Sequence, residues 1–126
     1  MKTVSLAFAA MFIAGAAFAE AHNVVINTGD TEAGTVLTDG DGMTLYVFDN
    51  DTPGVSNCNG DCAVNWPPLA AAEGATPQDK FGIITRADGS RQWAYDGAPL
   101  YLWINDSAPG DITGDGVRGI WHLARP

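Results

Sequence analysis

The chain has 126 residues, 15 of them acidic against 6 basic, for a formal charge of −9. A surface this acidic argues against nucleic acid and anionic lipid as partners, since both call for clusters of Lys and Arg. With 15 Gly, 7 Pro and 46% hydrophobic residues the chain is neither collagenous nor disordered, and its length suits one small domain with a modest core.

Lys2 precedes an apolar run from Val4 to Ala19, broken by Ser5 and ending in Ala17-Phe18-Ala19. A charged start, an apolar centre and an A-x-A end predict a signal peptide over residues 1–19, with Glu20 closing the run too early for a membrane span. A single domain over 20–126 follows. Cys58 is the first cysteine, so the cleavage point offers no residue for a lipid. The expectation is a periplasmic or secreted protein, soluble after cleavage, with no stable membrane anchor. Cleavage after Ala19 or Ala21 would leave His22 third or first in the mature chain, where amine and imidazole together suit Cu(II). His22 is therefore the metal candidate. The expected cofactor is none, with copper as the alternative.

Strands are predicted at Asn23–Ile26 and Thr35–Thr38. Asp39-Gly40-Asp41-Gly42 then supplies turn residues that tolerate positive φ, and Met43–Phe48 returns as the second arm of a hairpin. In the loop Asp49–Cys62, the pair Cys58 and Cys62 is expected to form a disulfide in an oxidising compartment. The spacing is C-x-x-x-C rather than the redox C-x-x-C, and Ala63 rather than His follows Cys62, which argues against haem attachment. Asp61–Trp66 reads as one helical turn stopped by Pro67-Pro68. Beyond it, strands are predicted at Gly82–Thr85, Arg91–Tyr95, Leu100–Ile104 and Gly119–Leu123. The second and third of these flank a turn at Asp96-Gly97-Ala98-Pro99, and a second long loop spans Asn105–Gly119.

Sliding the chain by 55 residues aligns Gly34 with Gly89, Asp41-Gly42 with Asp96-Gly97, and Leu45-Tyr46 with Leu100-Tyr101. The same shift aligns Phe48 with Trp103, Asn50-Asp51 with Asn105-Asp106, and Trp66 with Trp121. Matches of this kind in this order indicate a duplicated unit, over about 34–69 and 89–124. The predicted fold is all-β, a small sandwich or partly closed barrel built from two tandem repeats of short antiparallel strands. Alternation puts Leu45 and Val47 on one strand face and Tyr46 and Phe48 on the other, with Leu100, Leu102 and Ile104 opposing Tyr101 and Trp103. Strands apolar on both faces belong at the centre of the domain. The aromatic stripe reads first as core.

Tyr46-Val47-Phe48-Asp49-Asn50-Asp51 and Tyr101-Leu102-Trp103-Ile104-Asn105-Asp106 both fit Y-x-(F/W/Y)-x-x-D. Cys58-Asn59-Gly60-Asp61-Cys62-Ala63 leading to Trp66-Pro67-Pro68-Leu69 adds a second motif, and Gly114-Asp115-Gly116-Val117 leading to Trp121-His122 a third. Together they resemble the bacterial secreted-repeat family of predicted lipoproteins with a conserved Y-x-(F/W/Y)-x-x-D motif. The chain departs from that pattern in having no lipidation cysteine, and Thr113 and Val117 stand where a second disulfide would recur. The resemblance implies no reaction, because the family has no established activity. Read physically, each motif pairs aromatic anchors with an Asp that fixes a turn by accepting backbone N–H bonds.

Catalytic signatures are absent from the sequence: no G-x-S-x-G, no H-E-x-x-H, and no phosphate-cradling glycine loop opening a helix. Asp111-Ile112-Thr113-Gly114-Asp115-Gly116 starts like a calcium loop, but its twelfth position is His122 instead of a bidentate Glu. The expectation is a non-enzymatic binding or accessory module of the cell envelope, with its ligand undefined and its working surface on the two long loops. The alternative is a periplasmic copper-binding or redox accessory protein using His22, with His122 or Met43 as further donors.

Overall fold

The computed structural model describes residues 26–126. The first antiparallel hairpin joins β1 (Asn27–Thr31) to β2 (Gly34–Thr38), from Thr31 opposite Gly34 to Asn27 opposite Thr38. β1 thus lies in the polar segment NTGDT, where the sequence predicts no strand; of the predicted strand Asn23–Ile26, Ile26 is outside any strand and residues 23–25 lie outside the described part. The predicted signal peptide lies outside it too.

After β2 the Asp39 carboxylate organises the turn by accepting the N–H groups of Asp41 and Met43, each at 2.9 Å. Leu45 N–H then donates to Leu37 O at 3.0 Å, which closes the predicted hairpin. Its return arm is a regular strand only over β3 (Tyr46–Phe48). The helical turn α1 (Asp61–Asn65) follows, its end fixed by Trp66 N–H donating to Cys62 O at 2.8 Å.

The second half repeats the plan. β4 (Phe81–Thr85) pairs with β5 (Arg91–Tyr95), and β5 with β6 (Ala98–Pro99). The turn between β5 and β6 is tighter than predicted, because Asp96 and Gly97 both take positive φ (52° and 88°), as a two-residue I′ turn requires. Ala98-Pro99 is strand instead of turn. A 3-10 turn (Val117–Gly119) leads into β7 (Trp121–Leu123), which pairs antiparallel with β3.

At the centre Tyr101 is bridged to Tyr46 on one side and Pro68 on the other, while Tyr46 pairs with Leu123. The order Pro68, Tyr101, Tyr46, Leu123 reads the same from either end once the 55-residue shift is applied, so a local two-fold passes between the tyrosines. Leu100–Ile104 is not a regular strand. Its partner at the position of His122 is Pro67, which accepts from Leu102 N–H at 2.8 Å but has no N–H to return.

The two faces of this ribbon carry the two halves of the core. Leu45 and Leu100, both fully buried, pack with Leu37, Trp93 and Ala124 on one side. Tyr46 and Tyr101, also fully buried, pack with Trp66, Trp121 and Leu123 on the other. Burial of each large side chain contributes about 1.5–3 kcal/mol, enough for the ribbon to anchor the small sheets on either side. The result is a small sandwich of short antiparallel sheets that do not close into a barrel.

Candidate functional site

The two repeats are joined by an exchange of side chains. Backbone bonds run both ways between the tyrosines, Tyr46 N–H to Tyr101 O at 2.8 Å and Tyr101 N–H to Tyr46 O at 3.0 Å. The Tyr46 hydroxyl donates to Asp106 Oδ2 at 2.6 Å, and the Tyr101 hydroxyl to Asp51 Oδ2 at 2.7 Å. Each motif tyrosine therefore bonds the motif aspartate of the other repeat. The remaining carboxylate oxygens fix the loops: Asp51 Oδ1 accepts Asn57 N–H at 2.6 Å, and Asp106 Oδ1 accepts Thr113 N–H at 3.0 Å and its hydroxyl at 2.6 Å. Burial, reinforced by the neighbouring Asp106, pushes the Tyr46 phenol far above its ordinary pKa, and burial does the same for Tyr101. Burial also raises the Asp51 carboxyl, against the opposite pull of Asn57 N–H, the Tyr101 hydroxyl and Arg86.

Next to the tyrosines, four rings form a continuous stack across the two-fold. Trp66 and Trp121 lie face to face at 3.8 Å and 3°. Phe48 covers Trp121 at 4.2 Å, and Trp103 covers Trp66 at 4.0 Å. Again each repeat's second motif aromatic lies on the tryptophan of the other. Tyr46 meets Trp66 edge-on at 5.4 Å, and Tyr101 meets Trp121 at 5.2 Å. Gly114 closes one side of the stack, where an added Cβ would stand 2.9 Å from Trp66 Cη2 and 3.0 Å from Trp103 Cγ.

The symmetry breaks around Arg86, whose side chain is buried near Tyr101. Its guanidinium donates to Ser56 Oγ at 2.9 Å, Gln92 Oε1 at 2.8 Å and Cys58 O at 2.7 Å. Ser56 is in turn hydrogen-bonded to the Tyr101 hydroxyl at 2.6 Å. Neutral acceptors thus solvate a buried cation, and the chain Ser56–Tyr101–Asp51 links it to a carboxylate. Sequence reasoning missed this network. Its only local signal is an Arg and a Gln beside alternating strand residues.

A cleft of about 450 Å³ opens over the stack. It sits on the two-fold, because its walls include Phe48 with Trp103, Cys62 with Val117, and Asn65 with Ile120, all related by the 55-residue shift. Trp66 and Trp121, nearly buried, form its floor. Asn50 and Asn65 contribute amides to the lining, and Asp61 and Arg118 contribute one charge of each sign. Arg118 holds a left-handed backbone (φ 57°) between Gly116 and Gly119, a conformation that costs energy away from glycine and recurs where a side chain must be aimed.

Of the residues singled out in the sequence, Phe48, Trp66, Trp103 and Trp121 are brought together at the cleft, and Tyr46, Tyr101, Asp51 and Asp106 lie in the exchange beside it. Cys58 and Cys62 form the disulfide: Cys58 is fully buried in the aromatic half of the core, and Cys62 reaches the cleft wall. His22 lies outside the described residues. His122 is exposed and bonded to Asp49 at 2.8 Å, while Met43 sits in the Asp39 turn. The Asp111 carboxylate accepts the N–H groups of Ser107 and Ala108 at 2.8 and 3.0 Å, which holds its pKa below the ordinary value. Among the described residues no group of three or more His, Cys, Asp or Glu side chains is placed to hold a metal ion, and no helix is long and apolar enough to cross a membrane.

A family model described as a secreted repeat of unknown function matches the chain twice, over residues 27–70 and 82–125. The two matches are offset by the same 55 residues, and they extend each repeat back to include β1 and all of β4 except Phe81. Neither the curated proteins nor the solved structures contain a match to this chain.

Proposed function

The chain belongs to the family of secreted repeats of unknown function, and on that premise we propose that it is an exported, non-enzymatic binding module of the cell envelope whose ligand site is the cleft over the aromatic stack. The observation that carries this reading is the cleft itself: a rigid floor of stacked rings, built by both repeats, with a few polar groups at its margin. Concave sites of this make-up are the usual places for small ligands. The carboxylates of the family motif support a structural role, since tyrosine hydroxyls and loop N–H groups engage them.

The lining favours an uncharged ligand with a ring. Asp61 and Arg118 offset one another, the amides of Asn50 and Asn65 can both donate and accept, and aromatic rings suit the apolar face of a sugar. A saccharide unit of the bacterial envelope has this chemistry, and a periplasmic location would bring the two together. The test is a tryptophan-fluorescence titration with N,N′-diacetylchitobiose, two linked N-acetylglucosamine units that carry no charge. A saturable change that disappears in Trp103→Ala and weakens in Asn65→Ala is expected. Absence of a saturable change, or an equal change in Trp103→Ala, would remove the reading.

A further inference from the structure

Stacking at 3.8–4.2 Å puts four rings in contact from Phe48 to Trp103, and each buried tyrosine meets one of the two central tryptophans edge-on. Indole and phenol are the side chains of this core that lose an electron most easily, and rings in contact pass the vacancy from one to the next. A phenol yields its electron readily only when its proton has an acceptor, because the phenol radical cation is a strong acid. Asp106 and Asp51 stand as such acceptors at 2.6 and 2.7 Å. A ligand site does not require this arrangement.

We propose that the stack and its tyrosine–aspartate pairs form an electron relay that quenches strong one-electron oxidants of the peroxyl-radical class, with the vacancy coming to rest on Tyr46 and the released proton on Asp106. The oxidant meets the stack at Trp103 in the cleft wall, since the phenyl ring of Phe48 is too hard to oxidise to carry the vacancy. One electron passes through the stack to reduce the peroxyl radical to an alkyl peroxide anion, which takes a proton from water. The O–H bond of Tyr46 breaks, an O–H bond forms on Asp106 Oδ2, and Tyr46 is left as a neutral phenoxyl radical. The phenoxyl oxygen keeps the Gly114 N–H bond of 3.2 Å and gains one from the new carboxylic acid.

The choice of Tyr46 over Tyr101 follows from charge. The transfer removes one negative charge from a tyrosine–aspartate pair. The negative field of Asp115 at Tyr46 favours that loss. At Tyr101 the buried Arg86 cation, joined through Ser56 by bonds of 2.9 and 2.6 Å, opposes it. The third tyrosine, Tyr95, belongs to the other half of the core, against Phe81, and serves as the internal control.

The experiment uses the full chain with photogenerated tris(bipyridine)ruthenium(III) as oxidant, rapid freezing and electron paramagnetic resonance. A tyrosyl signal is expected, and 3-fluorotyrosine placed at position 46 should split it by fluorine coupling, whereas the same label at position 95 or 101 should leave it unsplit. Asp106→Asn should abolish the fluorine-split signal of the protein labelled at position 46. A wild-type signal from indole alone, or an unsplit signal with the label at position 46, overturns the proposal. The near-isosteric label keeps the test decisive even where Asp106→Asn fails to fold.

Discussion

The phenol of Tyr46 lies in the first repeat and its acceptor, Asp106, in the second, 2.6 Å away. The reverse pair, Tyr101 and Asp51, is joined at 2.7 Å. Neither repeat can satisfy its own buried tyrosine within its own motif, so each would leave a polar group unpaired if it folded alone, at a cost of about 1–3 kcal/mol. The exchange ties the two repeats together, and the cleft lies where they meet.

Gly114 is the tightest point of that junction. Gly114→Ala drives a methyl group into Trp66 and Trp103, and overpacking of this kind is expected to cost about 1–3 kcal/mol in unfolding free energy and to change the near-ultraviolet circular dichroism of the stack. Gly82→Ala is the control, because no atom stands within 4 Å of the added methyl. Its stability should be unchanged or slightly higher. Equal losses in the two variants would contradict the packing account.

Two carboxylates predict opposite dependences on pH. Burial raises the Asp51 pKa in the folded state, so the folded protein binds that proton more tightly than the unfolded chain does. Its ionisation lowers stability as pH rises through the window above the unfolded value, and the loss is absent at lower pH. Backbone N–H groups lower the Asp111 pKa, so its contribution is complete above the unfolded value and is lost as pH falls through the folded one. Measured by urea unfolding from about pH 7 to about pH 3, Asp51→Asn should compare least favourably with wild type in acid. Asp111→Asn should compare least favourably at neutral pH. Slopes of the same sign would contradict these assignments.

The disulfide closes a small ring, worth about 2 kcal/mol by loop entropy. Reduction should lower the unfolding free energy by about that amount and shift tryptophan emission to the red, because Cys62 lines the cleft and Cys58 is buried in the core cluster that holds Trp66 and Trp121. Amide exchange in the sheet of β4, β5 and β6 should be the same in the oxidised and reduced protein. Faster exchange there on reduction would show that the ring holds more than the cleft wall.

Much of this was legible in the sequence, because some signals are local. The 55-residue shift revealed the duplication, and alternation along Leu45–Phe48 sorted the two core faces correctly. Asp39 and the two motif aspartates sit where turn carboxylates are expected, and each accepts backbone N–H bonds. β1 is not legible in the sequence because Asn27-Thr28-Gly29-Asp30-Thr31 is polar and follows no alternation; its partner β2, not its own composition, makes it a strand. The exchange of tyrosines and aspartates was hidden for a different reason. A motif repeated in one chain does not state whether its members bond within a copy or between copies. Asp51 and Asp106 were read as turn residues only, and half of each carboxylate does other work. Arg86 was passed over because its partners come from Ser56, Cys58 and Gln92, which only the tertiary fold assembles.

The exchange between repeats is tested most directly by double-mutant cycles on unfolding free energy. Tyr46→Phe with Asp106→Asn should show a coupling of about 1 kcal/mol or more, as for a buried hydrogen bond to a charged group. Tyr46→Phe with Asp51→Asn, the pairing inside one repeat, should be additive to within about 0.5 kcal/mol. Coupling inside the repeat together with additivity across it would contradict the account.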